Sequence, residues 1–132
     1  MLLWTERRTD MIIFKPETDK EILSKHNCTD IYYAYENDVK TGTAYFNTDT
    51  LYCDVFKVIY PEDKLYICIG LLRSCYNKGA NDGAYMGKLS DLKCKDAALS
   101  MNFIFNGECY INDIPTLLMG TCSGCCDEVL LV

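Results

Sequence analysis

Histidine is nearly absent from this sequence: His26 is the only one, so any nucleophile–histidine triad must use it, and no histidine pair is present to ligate a metal. Positive charge is also scarce. Thirteen Lys and Arg stand against nineteen Asp and Glu, a formal charge of -6. That balance disfavours unspecific attraction to phosphate backbones and anionic lipid, so neither a nucleic-acid nor a membrane partner is expected. No stretch approaches the roughly 20 uninterrupted apolar residues that span a bilayer. The opening residues Met1 to Arg8 lack the basic-then-apolar order of an export signal, and the expected location is the cytoplasm. Internal repeats, linkers and low-complexity tracts are missing as well. One domain over 1–132 is therefore expected, with a cysteine-rich tail at 120–132.

What is present is apolar: 49% of the 132 residues are hydrophobic, which at this length supports one substantial core. Nine cysteines are many, but an odd number without an export signal reads as reduced thiols. Most lie inside apolar segments, where a thiol acts as a small hydrophobe.

Asp10 to Lys15 is a short β-prone run, and Pro16 with Glu17 and Asp19 predicts a helix from Glu17 to Lys25. Ile31–Tyr35, Gly42–Phe46 and Leu51–Tyr60 are aromatic and β-branched runs separated by polar turns, the pattern of an antiparallel meander. In the third run, alternation puts Val55, Lys57 and Ile59 on one face and Asp54, Phe56, Val58 and Tyr60 on the other, as in a central strand. Pro61-Glu62-Asp63 ends it and opens a helix. Leu65, Cys68, Ile69, Leu72, Cys75 and Tyr76 recur at three- and four-residue spacing and mark the buried face of that long helix. A strand over Ala84–Leu89, a helix over Cys94–Met101, and strands at Phe103–Phe105 and Cys109–Ile114 follow, the last stopped by Pro115. The fold class is α+β, an α/β sandwich with a mixed sheet.

This order, together with Val58-Ile59-Tyr60-Pro61, Gly70-Leu71-Leu72-Arg73-Ser74, Gly79 to Ala84 and Met101-Asn102-Phe103, resembles the GNAT superfamily of acyl-CoA N-acyltransferases over about residues 10 to 118. The resemblance implies a mostly antiparallel central sheet flanked by helices. It also implies an acyl-CoA-dependent N-acetyltransferase in which an amine attacks the thioester directly, with acetyl-CoA as cofactor and an amine as the partner substrate. By the same resemblance the backbone from Phe56 through Val58 to Tyr60 holds the pantetheine arm, and Lys64 and Gly70 lie on the pyrophosphate side.

The departures are specific. The family's glycine-rich loop lets backbone N–H groups reach phosphate oxygens. Here the run from Pro61 to Gly70 is about one residue shorter, carries Glu62 and Asp63, and has Ile67 at the first glycine position. The family's tyrosine acid falls on Ala98, leaving Tyr110 as the substitute proton donor and Asp54 as the carboxylate within an apolar strand. A catalytically inactive GNAT-fold module that binds a ligand or a protein is the competing expectation. The tail Cys122-Ser123-Gly124-Cys125-Cys126 has the spacing of a zinc or redox pair, but a structural zinc site needs four ligands. Reduced tail thiols are the plainer expectation. His26, after Ser24-Lys25, fits a helix carboxyl-terminal cap better than catalysis.

Overall fold

A computed structural model describes residues 11–119. Strand β1 (Ile12–Pro16) leads to helix α1 (Lys20–Lys25) and then to β2 (Asp30–Glu36), β3 (Val39–Thr48) and β4 (Tyr52–Ile59). Helix α2 (Leu65–Asn81) carries the chain to β5 (Met86–Leu89). A 3-10 turn (Leu92–Cys94), α3 (Lys95–Ser100), β6 (Ile104–Phe105), β7 (Tyr110–Asp113) and α4 (Ile114–Met119) complete it. The strands form one sheet in the order β1-β2-β3-β4-β5-β7-β6. All neighbours are antiparallel except β4 and β5. That parallel pair requires a crossover, and α2 supplies it.

Local chemistry explains the meander. Glu36 pairs with Val39 across a two-residue turn in which Asn37 and Asp38 have φ of 52° and 72°. Two consecutive positive φ values match the right-handed twist of the flanking strands, and Asn and Asp tolerate them best after Gly. At the next turn the Asp49 carboxylate accepts the N–H groups of Leu51 and Tyr52 at 2.8 and 2.7 Å.

Several sequence expectations shift. Pro16 ends β1 instead of opening a helix. Asp19 is the cap that accepts the Glu21 N–H at 2.9 Å, so α1 starts at Lys20. The last strand ends at Asp113, not at Pro115: Ile114 already opens α4, Pro115 lies in its first turn, and the Asp113 carboxylate accepts the Thr116 N–H at 2.9 Å. The two-residue alternation of β4 breaks at Phe56, because Phe46 pairs with Val55 and Tyr45 with Lys57. This bulge puts Val55 and Val58 together inside, and leaves Lys57 and Ile59 exposed.

The core lies between the sheet and α2. Ile67, Cys68, Leu71, Leu72, Cys75 and Tyr76 are buried, while Leu65 and Ile69 sit at the margin, so the buried stripe includes Ile67 and Leu71. The helix approaches the sheet closely at two glycines. A Cβ on Gly70 would stand 2.1 Å from the Phe14 ring, and one on Gly79 would stand 2.6 Å from Cys53 Sγ. All six described cysteines are buried free thiols. The opposite sheet face carries tyrosines with lysines over their rings, Lys40 on Tyr33 and Lys57 on Tyr45 among them. Among the described residues, no helix is long and apolar enough to cross a membrane.

Candidate functional site

The feature that distinguishes one region of the sheet is the parting of β4 from β5. Their pairing stops at Val55 and Leu89, and β4 continues through Phe56, Lys57, Val58 and Ile59 with β3 on one edge only. The bulge at Phe56 sits at the parting, and it turns the Phe56 ring toward Tyr45, 6.3 Å between centroids.

Residues 90–94 meet the unpaired edge. The Ser90 N–H donates to the Val55 carbonyl at 2.9 Å, and its hydroxyl donates to Asp54 Oδ1 at 2.7 Å. Asp91 follows, 8% exposed. Its Oδ2 accepts the Val58 N–H at 2.9 Å, and its Oδ1 accepts the Lys93 N–H at 3.1 Å as the cap of the 3-10 turn. Deeper in, the Cys94 thiol is hydrogen-bonded to Cys68, and Tyr60 contacts Cys68 as well. Burial, with these two thiols beside it, pushes the Tyr60 phenol up to about 12. The Cys68 thiol is also held well above its ordinary range, first by its bond to Cys94 and then by burial. The Cys68 thiol stays protonated and poorly nucleophilic.

The amino end of α2 lies past Tyr60. Lys64 stands at its cap position without a side-chain cap, and its ammonium is directed to Glu36 Oε1 on β2 at 2.8 Å. That bond raises the Lys64 pKa and lowers that of Glu36, whose other oxygen accepts the Tyr66 hydroxyl. Ile67 is fully buried in the first turns, and Gly70 lies within the helix against Phe14. The residues at this helix end therefore do not form a glycine cradle for a pyrophosphate. On the β4 edge beyond Val55, the Val58 N–H is met by the Asp91 side chain and not by a neighbouring strand.

The expected site residues thus fall into three groups. Asp54, Phe56, Val58 and Tyr60, expected on one face of β4, are divided by the bulge: Asp54 alternates with buried Cys53 and Val55, and Phe56 lies beside Tyr45, whereas Val58 is buried on the core side and Tyr60 meets Cys68 of α2. Lys64 and Gly70 are engaged elsewhere, in an ion pair and in helix packing. Tyr110, the first residue of β7, is 8% exposed and packs its ring on Phe103 and Phe105, at 6.3 and 5.1 Å between centroids. Ala98 is buried in α3, so no tyrosine stands at that position. His26 is the carboxyl-terminal cap residue of α1, with its ring 5.0 Å from that of Tyr45. Among the described residues no group of three or more His, Cys, Asp or Glu is arranged to hold a metal ion. Cys122, Cys125 and Cys126 lie outside the described residues. Sequence reasoning missed Ser90 and Asp91. Asp91 is legible as a cap ahead of Leu92-Lys93-Cys94, but its bond to a strand 33 residues earlier has no local signal.

No family model matches the sequence, and no curated protein matches it. Solved structures do. A GNAT-family acetyltransferase structure from Desulfovibrio desulfuricans aligns with a TM-score of 0.61 at 10% identity, over 79% of this chain and 99% of that one. An N-acetyltransferase from Staphylococcus aureus aligns at 0.57 and 14% identity, over 80% and 99%. The N-acetyltransferase-like YhhK of Escherichia coli, solved bound to coenzyme A, aligns at 0.54 and 10% identity, over 78% and 97%. At these identities the likeness is one of architecture: the chain has the fold of the GNAT acetyltransferases.

Proposed function

We propose that this protein is a divergent acyl-CoA-dependent N-acyltransferase, with acetyl-CoA as donor and a cationic amine as acceptor. The observation that carries this reading is the unpaired β4 edge beyond the Phe56 bulge, where the pantetheine arm of the thioester would lie between Phe56 and Tyr60. A coenzyme A-bound relative with the same architecture supports it. The reaction is direct: the acceptor ammonium first gives one proton to a carboxylate, the freed lone pair attacks the thioester carbonyl, the C–S bond breaks, the sulfur leaves with its electron pair, and a second proton from nitrogen goes to the thiolate. Holding the two reactants together supplies most of the rate. In this reading Asp54, which accepts the Ser90 hydroxyl, is the carboxylate that receives the amine proton. Tyr110 is the phenol assigned to protonating the thiolate. The chain's formal charge of -6 suits a cationic acceptor. The reduced thiols fit a cytoplasmic setting.

A non-catalytic GNAT-fold binding module is the second reading, favoured by the Lys64–Glu36 ion pair and by buried Ala98 at the usual tyrosine position. A screen of primary amines and polyamines with acetyl-CoA, read as free thiol release, separates the two. The enzyme reading expects acceptor-dependent release that is lost in Asp54→Asn. Release that never depends on an acceptor leaves the binding module.

A further inference from the structure

We infer that Asp91 is an internal ligand of the β4 edge, holding the place of the acyl donor and thereby setting how tightly the donor binds. The inference rests on the acyl-CoA reading above and adds to it the residue that governs donor affinity. A buried strand N–H needs an acceptor, since an unsatisfied one costs about 1–3 kcal/mol. At Val58 the strand neighbour is missing, and Asp91 Oδ2 takes its place at 2.9 Å. A pantetheine amide lying along Phe56 to Tyr60 needs the same N–H. Both acceptors cannot occupy it, so the donor must displace the carboxylate. A carboxylate is also a stronger acceptor than the neutral amide carbonyl that would replace it.

The two oxygens of Asp91 divide the work. Oδ1 holds the Lys93 N–H and keeps the 3-10 turn formed, while Oδ2 alone reaches β4. Ser90 anchors the segment independently, through the Val55 carbonyl and Asp54. When the Asp91 carboxylate moves off Val58, the segment stays held to β4 through Ser90, so β5 need not detach. The apparent affinity for donor falls by the fraction of molecules in which Val58 is free.

The test is a calorimetric titration of acetyl-CoA into the wild-type protein and Asp91→Asn, with amide NMR of the wild-type complex. Weakening the Val58 acceptor should tighten acetyl-CoA binding roughly tenfold. A purely structural role for Asp91 predicts the opposite, a loss of affinity. In the wild-type titration the Val58 amide resonance should move at saturation, whereas that of Ser90, bonded to the Val55 carbonyl, should move little. Equal binding by both proteins overturns the role of Asp91 and leaves the acyl-CoA reading standing. Absence of binding in both overturns the two together. If Asp91→Asn does not fold, a wild-type complex whose Val58 resonance stays in place overturns the inference by itself.

Discussion

From Cys53 to Val55 strand β4 is hydrogen-bonded on both edges, to β3 and to β5, whereas from Phe56 to Ile59 only β3 remains and Asp91 meets the other edge. The first half is a core element. Cys53 and Val55 are fully buried, and α2 comes close enough that Gly79 must lack a Cβ. The second half has the same strand backbone but leaves Lys57 and Ile59 in solvent. One bulge separates the halves. It shows how a single strand can anchor a fold at one end and offer backbone hydrogen-bonding groups at the other.

If that division is right, the largest effects come from the packed half. Leu71→Ala, a fully buried truncation in α2, should cost about 2–5 kcal/mol of unfolding free energy, measured by urea denaturation. Next comes Gly87, which pairs with Cys53. A Cβ there would stand 2.6 Å from the buried Leu117 methyl and 3.1 Å from the Tyr76 ring. Gly87→Val should cost about 1–3 kcal/mol by overpacking. Ile59→Ala in the open half, where the side chain is 50% exposed, should cost no more than about 0.5 kcal/mol. Similar losses at Gly87 and Ile59 would break the comparison.

Alkaline pH probes both halves at once. The Cys53 thiol ordinarily titrates near 9.0 and the Tyr60 phenol near 10.0, and burial pushes each up to about 12. Between those values the folded state keeps protons that the unfolded chain loses, so stability falls as pH rises from about 9 to 12. Thermal melts across that range should show the decline, and Cys53→Ala should flatten its lower part. The smallest effect concerns the donor. Because Lys64 is paired with Glu36 and the α2 amino end offers no glycine cradle, the nucleotide contributes little. Acetyl-CoA and S-acetyl-pantetheine should bind within about threefold of each other, about 0.6 kcal/mol. A gap of a hundredfold would restore a pyrophosphate site.

The meander and the long helix were legible because their signals are local: alternating aromatics, Asn37-Asp38 at a turn, and a three- and four-residue stripe from Cys68 to Tyr76. The bulge at Phe56 was not, since apolar side chains on both faces of β4 hide a one-residue slip. Helix α4 was hidden because Pro115 reads equally as a stop and as a first-turn residue. Of the site, strand order puts Asp54, Phe56, Val58 and Tyr60 on or just after one strand, but not on the two faces between which the bulge divides them. Asp91 could not be placed beside them. Its partner is set by where the crossover returns the chain, which depends on how α2 packs and not on any residue near Asp91. The same holds for Lys64, whose partner Glu36 lies on β2.

The most direct test of the account is a thermal-shift titration of the reduced protein with acetyl-CoA, using coenzyme A and ADP as controls. A ligand that binds only the folded state raises stability by RT ln(1 + [L]/Kd). The account predicts a saturable rise in melting temperature with acetyl-CoA and coenzyme A and almost none with ADP, because the affinity lies on the β4 edge. No shift with acetyl-CoA at millimolar concentration would contradict it.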